Sequence, residues 1–258
     1  MPDTQFASYP SLSGMPVVVS GGASGIGEAI VRAFAAQDSK VGFVDIAADQ
    51  GRRLETELRA AGQSVRFLPC DVADVGAYQA AIAKLEEEHG ATLALVNNAA
   101  DDKRYPYDKI TPELWEWSIG VNLRHSFFAS QAVAPGMIAA GRGSIINFGS
   151  IAWMIMLPEL APYSAGKAAM HGMSRSLAKE LGPRGVRVNT VVPGWVMTEK
   201  QLNHWVGPAE LELIKRQQAM NGLLRPPDVA RMVLFLAADD SHMISGQVFV
   251  VDGGWAHG

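Results

Sequence analysis

The amino-acid sequence predicts an α/β fold in which a parallel sheet carries helices on both faces. Short runs rich in β-branched residues alternate with longer segments whose apolar residues have helical spacing. That alternation is typical of strands joined by helical crossovers. The short runs are apolar almost throughout, as strands are when both faces of a sheet are covered. No linker, repeat or block of charge divides the 258 residues, so we expect one domain over residues 1–258.

Strand-like runs and helix-like segments follow one another in chain order. The runs predicted to be strands are 17–19, 41–44, 65–68, 93–96, 144–148, 186–192 and 247–250. The segments predicted to be helices are 26–37, 48–60, 75–89, 112–140, 162–181, 209–219 and 227–238.

The residues outside these elements fall into two groups. Residues 1–13 are polar, and we expect them to be a flexible N-terminal lead. Three longer irregular segments, 99–111, 151–161 and 193–208, each follow a strand. Because ligands bind beyond the carboxyl ends of parallel strands, these segments are expected to form the walls of a cleft. We expect residues 193–220 to cover the substrate.

Composition and charge argue against several classes of protein. Hydrophobic residues make up 48% of the chain and charged residues 19%, which is typical of a soluble globular protein. With a net charge of −4 and no basic stripe, the chain is not expected to bind nucleic acid. No apolar run is long enough to span a membrane. Cys70 is the single cysteine and the six histidines lack metal-ligand spacing, so we expect neither a disulfide nor a metal. The expected location is the cytoplasm.

A glycine-rich loop joins the first predicted strand to the first predicted helix. It reads Gly21-Gly22-Ala23-Ser24-Gly25-Ile26-Gly27. Glycines allow a tight turn and bring backbone N–H groups close to a pyrophosphate at the start of a helix. The spacing is G-x-x-x-G-x-G, which matches the general dinucleotide pattern only loosely, so a plain strand-to-helix turn is the alternative interpretation.

Asp45 ends the second predicted strand, about twenty residues beyond the loop. An acidic side chain at that position hydrogen-bonds the adenosine ribose of a bound dinucleotide. It would also repel a 2′-phosphate, because like charges about 4 Å apart cost roughly 4 kcal/mol at an effective dielectric of 20. Asp45 therefore favours NAD over NADP, and the alternative interpretation is that it only caps a helix.

Tyr163 and Lys167 form a candidate acid–base pair. They are four residues apart in a segment with helical spacing, so both side chains project from one face. A tyrosine with an ordinary pKa of about 10 needs a shift of roughly three units to act as a base near neutrality, and a nearby lysine cation can supply it. Ser150 would then hold the substrate oxygen by a hydrogen bond. Asn122, inside a long predicted helix, could hold a water that connects Lys167 to solvent.

These residues together resemble the short-chain dehydrogenase/reductase family, and the resemblance covers nearly the whole chain. Its signatures occur in order as Ser20 to Gly27, Asp71-Val72, Asn97-Asn98-Ala99-Ala100, Asn122, Ser150, Tyr163-x-x-x-Lys167, Pro193-Gly194 with Thr198, and Val251-Asp252-Gly253-Gly254. The chain departs from the family pattern at Ser20, where threonine is usual, and at Ala100, where glycine is usual.

The resemblance implies a single-domain Rossmann-type, doubly wound sheet of about seven parallel strands and a catalytic set of Asn122, Ser150, Tyr163 and Lys167. It implies a homotetramer that pairs the helices predicted at 112–140 and 162–181. The cofactor implied is NAD, held by Gly21, Ser24, Gly25, Ile26, Gly27, Asp45, Ile46, Asp71, Val72, Asn98, Ala99, Ala100, Tyr163, Lys167, Pro193, Gly194, Val196 and Thr198.

Within the family, the segments around Asn98, Asn122 and Ser150 are similar to the bacterial sugar dehydrogenases, above all the NAD-dependent D-xylose and related aldose 1-dehydrogenases. Such enzymes oxidise the anomeric hydroxyl to a lactone. The aromatic faces of Trp153, Trp195 and Trp205 suit the C–H side of a pyranose, and packing is the alternative role for each. Hydroxyl groups could be bound by Asp102, Arg104 or Glu159. The substrate-binding residues predicted are Arg104, Ser150, Trp153, Tyr163 and Trp195.

Three alternative functions stay open. A dehydrogenase of a sugar acid or 2-keto-3-deoxy-sugar acid would need a carboxylate anchor, for which Lys103, Arg104 or Lys200 could serve. A 3-oxoacyl-carrier-protein reductase is disfavoured because Asp45 argues against NADP and an acidic chain suits an acidic carrier poorly. A non-catalytic NAD-binding regulator is disfavoured because it would not need all four residues of the catalytic set.

Overall fold

A sheet of seven parallel strands forms the centre of the protein in the computed structural model, which describes residues 7–256. The strands are β1 (Pro16–Ser20), β2 (Lys40–Asp45), β3 (Val65–Pro69), β4 (Ala94–Asn97), β5 (Gly143–Phe148), β6 (Val186–Pro193) and β7 (Val248–Val251). Their order across the sheet is β3-β2-β1-β4-β5-β6-β7, and every neighbouring pair is parallel. This confirms the predicted fold class.

Helices cover both faces of this sheet. They are α1 (Gly25–Ala35), α2 (Ala48–Ala60), α3 (Val75–His89), α4 (Pro112–Ile119), α5 (His125–Ala139), α6 (Ala161–Leu181), α7 (Glu199–His204), α8 (Pro208–Gln217) and α9 (Pro226–Ala237). Alternate residues of each strand point to opposite faces. Val17 and Val19 of β1 pack in a core with α1, α2 and α9, whereas Val18 packs in a second core with α3 and α5.

The chain reverses direction across the sheet between β1 and β4. From β1 it proceeds outward through β2 to β3, and it then returns to place β4 on the other side of β1. Loops that leave β1 and β4 therefore diverge at their carboxyl ends and leave a crevice between them, which is where ligands bind in open α/β sheets.

The prediction of one continuous helix over 112–140 is wrong in detail. It consists of α4, a five-residue π-helical segment over Gly120–Arg124, and α5. A π-helical turn widens the helix locally and leaves carbonyl groups without their usual partners, and it is common near functional sites. Apolar periodicity cannot show such a turn, because the residues on either side of it keep ordinary helical spacing.

Helix α7 has no counterpart among the predicted helices. It is only six residues long, too short for a periodic pattern of apolar residues. A local signal was present, since Thr198 and Gln201 have the spacing of a capping box. In the structure the Thr198 hydroxyl accepts a hydrogen bond from the backbone N–H of Gln201 at 3.3 Å.

The predicted flexible lead over residues 1–13 is wrong for its second half. Residues Pro10–Leu12 form a 3₁₀ turn, and the Leu12 side chain is fully buried in the core. The backbone N–H of Tyr9 donates to the Gln37 side chain at 2.8 Å. Residues 1–6 lie outside the described part of the chain.

Within residues 7–256, no helix is long and apolar enough to cross a membrane. The same part of the chain contains no group of three or more His, Cys, Asp or Glu residues placed to hold a metal ion.

Candidate active site

The glycine-rich loop forms the floor of the crevice because side chains would not fit there. Gly21 has a φ of +67°, and a Cβ at this residue would lie 2.9 Å from the Ala99 Cα atom. A Cβ at Gly27 would overlap the carbonyl oxygen of Gly21. These contacts bring the start of α1 directly under the loop, so its free N–H groups point into the crevice.

Three polar side chains hold this loop in place. The Ser20 hydroxyl accepts hydrogen bonds from the N–H groups of Asn98 and Ala99, both at 3.1 Å. The Asn98 amide donates to the carbonyl oxygens of Ser20 and Gly21 at 3.1 and 3.0 Å. The Asp45 carboxylate accepts from the N–H groups of Ala23 and Ala47. Serine therefore supplies the hydroxyl that the loop needs at position 20.

A cavity of about 1020 Å³ opens above this floor. Every residue of the predicted cofactor set lines it, from the glycine-rich loop through Asp45, Asp71 and Asn98 to Thr198. Ser150, Tyr163 and Lys167 line the same cavity, as do Arg104 and Trp195. Residues up to 234 positions apart in the chain, Gly21 and Trp255, thus meet in one cleft.

Ser150, Tyr163 and Lys167 come together at the end of β5. Ser150 begins the 3₁₀ turn over Ile151–Trp153, and its hydroxyl accepts from the backbone N–H of Ala152 at 3.1 Å. The Lys167 side chain is 1% exposed, and its Nζ donates to the carbonyl oxygen of Phe148 at 3.0 Å. The same Nζ lies 5.9 Å from the centroid of the Tyr163 ring. An acid–base group is thereby placed beside a hydroxyl that can hold a substrate oxygen.

Burial shifts the pKa values of the tyrosine and lysine in opposite directions. It raises the pKa of Tyr163 to about 12; the Ser150 hydroxyl opposes this shift, and the charges of Asp102 and Asp101 add to it. Burial also lowers the pKa of Lys167 to about 8, against the attraction of Asp102. The expectation that the phenol pKa falls by about three units is therefore wrong for this arrangement, because burial disfavours the phenolate.

Asn122 lies beside the cleft without lining it. Its side chain is fully buried, accepts from the N–H of Asp101 at 3.0 Å, and donates to the Asp101 carbonyl oxygen at 3.1 Å and the Ser118 hydroxyl at 3.3 Å. Both amide hydrogens are used in these bonds. Asn122 therefore fixes the loop at Asp101, and its predicted role in holding a water stays a prediction.

The predicted substrate residues behave differently from one another. The Arg104 guanidinium lies 4.6 Å from the Trp205 ring centroid, and the Trp195 ring lies 6.3 Å from that of Trp255. Trp153 is not part of the cavity wall, and its ring packs edge-on against His171 at 5.4 Å, so its predicted contact with the substrate stays a prediction. Trp153 lies in the 3₁₀ turn that follows Ser150, and the order of residues does not reveal its contact with His171.

Gln201 was missed by the prediction. It bonds to Asp102 and Trp195, both of which were predicted as substrate contacts, and its neighbour Lys200 pairs with Asp102 at 2.6 Å. No local signal could have found the contacts of Asp102 with Lys200 and Gln201, because they join segments about a hundred residues apart. An apolar wall was missed as well, formed by Ile155, Leu157, Leu160 and Trp255.

Comparison with known proteins decides the family. Residues 21–256 match a family model described as enoyl-(acyl carrier protein) reductase. The chain is 42% identical over 255 residues to the probable galactose dehydrogenase GalD of Rhizobium meliloti (strain 1021), and the match covers 98% of both proteins. It is 43% identical over 249 residues to D-xylose 1-dehydrogenase of Caulobacter vibrioides (strain NA1000 / CB15N), covering 96% of this chain and 98% of that protein.

The chain belongs to the short-chain dehydrogenase/reductase family. It is therefore an oxidoreductase, and its cofactor is a nicotinamide dinucleotide. The fold agrees with that of a blue fluorescent protein from a metagenomic library, solved in complex with NADPH. That structure has a TM-score of 0.88 and 34% sequence identity, and the match covers 96% of this chain and all of that one.

The cleft of this short-chain dehydrogenase/reductase fits such a cofactor. The close approach of Gly21 and Gly27 leaves room for a pyrophosphate against the start of α1. Asp45 lines the cavity, and each of its oxygens has a lone pair left after accepting from backbone N–H groups, so it can accept from ribose hydroxyls. The nicotinamide end would lie by Pro193, Gly194 and Thr198, next to Tyr163 and Lys167.

His125 stands behind the catalytic candidates, at the end of the π-helical segment. It is 1% exposed, and its Nε2 lies 3.1 Å from the Ser126 hydroxyl oxygen. Burial lowers the pKa of His125 to about 3; the charge of Lys167 lowers it further, and the carbonyl groups of Gly120 and Val121 oppose the shift. Burial thus favours the neutral form of His125 in the folded protein at neutral pH.

We expect Tyr163→Phe to lower turnover by about 10²- to 10⁴-fold, because the substitution removes the only titratable hydroxyl from the acid–base pair. Affinity for the dinucleotide should change by less than about tenfold, since the ring loses a single hydrogen-bonding group. Steady-state kinetics and a dinucleotide titration of both proteins measure the two effects. Turnover close to that of the wild type would remove Tyr163 from the acid–base role.

The buried neutral His125 should make the protein less stable in acid. Its pKa is about 3 when folded and about 6.5 when unfolded, so between these values only the unfolded chain binds the proton. The free energy of unfolding should fall by about 3 kcal/mol between pH 7 and pH 4 relative to His125→Gln, measured by urea unfolding at one protein concentration. An equal pH dependence in both proteins would contradict this prediction.

Proposed function

We propose that this enzyme oxidises the anomeric hydroxyl of a neutral aldose to a lactone, with NAD as the hydride acceptor. Two full-length relatives at 42% and 43% identity are named as sugar dehydrogenases, which supports an aldose substrate. In the cleft, Ser150 and Tyr163 stand beside the place of the nicotinamide, and tryptophan rings and hydrogen-bonding groups line the remaining space. Aromatic faces and polar groups in one cavity suit a pyranose ring with its hydroxyls.

One observation carries the choice of a neutral sugar: the carboxylates of Asp101 and Asp102 line the cleft, and the basic side chains near them already contact other groups of the protein. Lys200 is paired with Asp102 at 2.6 Å. The Arg104 guanidinium is stacked on the Trp205 ring at 4.6 Å. Lys103 is not part of the cavity wall and lies 5.3 Å from the Tyr105 ring centroid. A carboxylate entering the cleft would meet the like charges of Asp101 and Asp102, which disfavours a sugar acid.

The reaction assigns one role to each residue of the catalytic group. The Ser150 hydroxyl binds the anomeric oxygen, and the Tyr163 phenolate accepts its proton. Lys167 holds a positive charge close to the tyrosine and favours the phenolate, while Asn122 keeps the loop at Asp101 in position. When bound, the nicotinamide ring supplies the acceptor for the hydride that leaves the anomeric carbon. Because desolvation opposes the phenolate, proton transfer to Tyr163 should become easier as the pH rises toward its pKa.

The preference for NAD rests on Asp45. Its carboxylate lines the part of the cavity beyond the glycine-rich loop, next to the exposed Ile46. A 2′-phosphate there would face this negative charge at close range, at a cost of roughly 4 kcal/mol at an effective dielectric of 20.

We further propose a homotetramer that pairs α4, α5 and α6 with their copies, in the cytoplasm. The aromatic side chains of Trp115, Trp117 and Phe127 are about two-fifths exposed on α4 and α5, which supports burial by a second copy.

The function is tested by the initial rate of NAD reduction with neutral aldoses, the corresponding sugar acids and simple secondary alcohols. We expect the highest kcat/KM with one or two neutral aldoses and a much lower value with the matching acids, because the like charges of Asp101 and Asp102 repel a carboxylate. Detection of the lactone as first product fixes the oxidised carbon. Faster oxidation of the acids, or no oxidation of any aldose, would overturn the proposed substrate.

Replacing Asp45 tests the cofactor. In Asp45→Ala, the ratio of kcat/KM for NAD to that for NADP should fall by at least about tenfold, since the repulsion of the 2′-phosphate is removed. Asp71→Ala is a matched control, because it also removes a carboxylate from the cavity wall but leaves the ribose position unchanged. An unchanged ratio in Asp45→Ala would mean that Asp45 only holds the loop.

A further inference from the structure

Three walls of the cleft are joined by a chain of hydrogen bonds that passes through one side chain, that of Gln201. Its amide nitrogen donates to the Asp102 carboxylate at 2.8 Å. Its amide oxygen accepts from the indole N–H of Trp195 at 2.9 Å. Asp102 belongs to the loop after β4, Trp195 to the loop after β6, and Gln201 to α7. All three residues line the cavity.

The chemistry of the three groups permits only one orientation of the amide. A carboxylate can only accept hydrogen bonds and an indole N–H can only donate, so the nitrogen of Gln201 must face Asp102 and the oxygen must face Trp195. Because both ends of the amide are held, the polar edge of the indole is held as well. The other side of the Trp195 ring faces Trp255, with ring centroids 6.3 Å apart.

Trp195 stands where its position affects the substrate. It follows Pro193 and Gly194 directly, and the N–H of Gly194 is bonded to the carbonyl oxygen of Val251 at 2.9 Å. The indole therefore projects from a backbone segment that is tied to the sheet next to the place of the nicotinamide. A shift of this ring would change the shape of the space for a sugar without disturbing the glycine-rich loop.

We propose that Gln201 determines sugar specificity by positioning Trp195, with Asp102 holding its amide in the required orientation. This inference rests on the proposed function, since it takes the substrate to be a sugar ring that lies against the indole. Gln201 is a positioning residue and does not touch the reacting atoms. Its effect is expected on the affinity for the sugar and on discrimination between epimers, and not on the cofactor.

The neighbouring ion pair provides a matched control. Lys200 adjoins Gln201 on α7 and bonds to the other oxygen of Asp102 at 2.6 Å, but its side chain is 57% exposed. Exposed ion pairs contribute little, because water and salt screen them. If α7 were held over the cleft only by its ion pair, removal of Lys200 would have the larger effect on the sugar kinetics. If the chain of hydrogen bonds from Asp102 through Gln201 to Trp195 (the amide relay) positions the indole, removal of the Gln201 amide would have the larger effect.

The experiment compares Gln201→Met, which keeps the length of the side chain but forms neither bond, with Lys200→Met. For Gln201→Met we expect a rise of about tenfold in the KM for the preferred aldose and a smaller ratio of kcat/KM between that aldose and its epimer. The KM for NAD should stay within about twofold. Lys200→Met should keep the wild-type ratio. Equal changes in both variants, or an unchanged ratio in Gln201→Met, would overturn the proposal.

A second measurement shows whether the relay exists, independent of activity. In protein labelled with ¹⁵N-tryptophan, the Trp195 indole N–H signal is assigned with Trp195→Phe. It should move and exchange faster with solvent in Gln201→Met but not in Lys200→Met. An unmoved signal would overturn the relay. If the wild type oxidises no aldose, the proposed function fails, and the kinetic ratio is then taken between the two best alcohols of the panel.

Discussion

The cleft depends on the hydrogen bonds that join the ends of β1 and β4, two adjacent strands whose loops diverge at this point. Five side-chain hydrogen bonds cross between them: two N–H groups donate to the Ser20 hydroxyl, that hydroxyl donates to the carbonyl oxygen of Val96, and the Asn98 amide donates to the carbonyl oxygens of Ser20 and Gly21. These bonds satisfy backbone groups that the sheet no longer pairs, which would otherwise be costly in a partly buried place. They also set the distance between the glycine-rich loop and the loop after β4, which carries Asp101 and Asp102.

A second set of buried polar contacts places α6 over the sheet. The Asn97 amide donates to Asn147, the Asn147 amide donates to the Ser174 hydroxyl, and the Thr190 hydroxyl donates to that same oxygen. These residues come from β4, β5, α6 and β6, and each is at most 1% exposed. Polar groups in such a site must find partners, so they allow fewer arrangements than apolar packing does. The network thus selects the register of α6 in which its tyrosine and lysine face the cleft.

Burial then decides the electrostatic character of this end of the cleft. It raises the pKa of Tyr163 and lowers the pKa of Lys167, so in both cases it favours the neutral form. The two groups are close, and a charge on either one stabilises the opposite charge on the other. The protonation of Tyr163 and Lys167 is therefore sensitive to nearby charges, and the Asp102 carboxylate already raises the pKa of both groups. The same carboxylate is engaged by Lys200 and Gln201, which links the charge of the cleft to the position of α7.

The sequence by itself determined the sheet, most of its helices, the glycine-rich loop, Asp45 and the pair Tyr163 and Lys167. These features depend on local patterns, namely apolar periodicity, glycine spacing and two side chains on one helical face, so residue order is sufficient for them. Only the tertiary structure decided that Trp153 packs against His171, that Asn122 holds a loop, that the segment after α4 is π-helical and that Gln201 joins Asp102 to Trp195. Each of these depends on the direction of a side chain or on a contact between distant segments. Such contacts are selected by packing and hydrogen bonding in the folded chain, where desolvation also reversed the expected shift in the pKa of Tyr163.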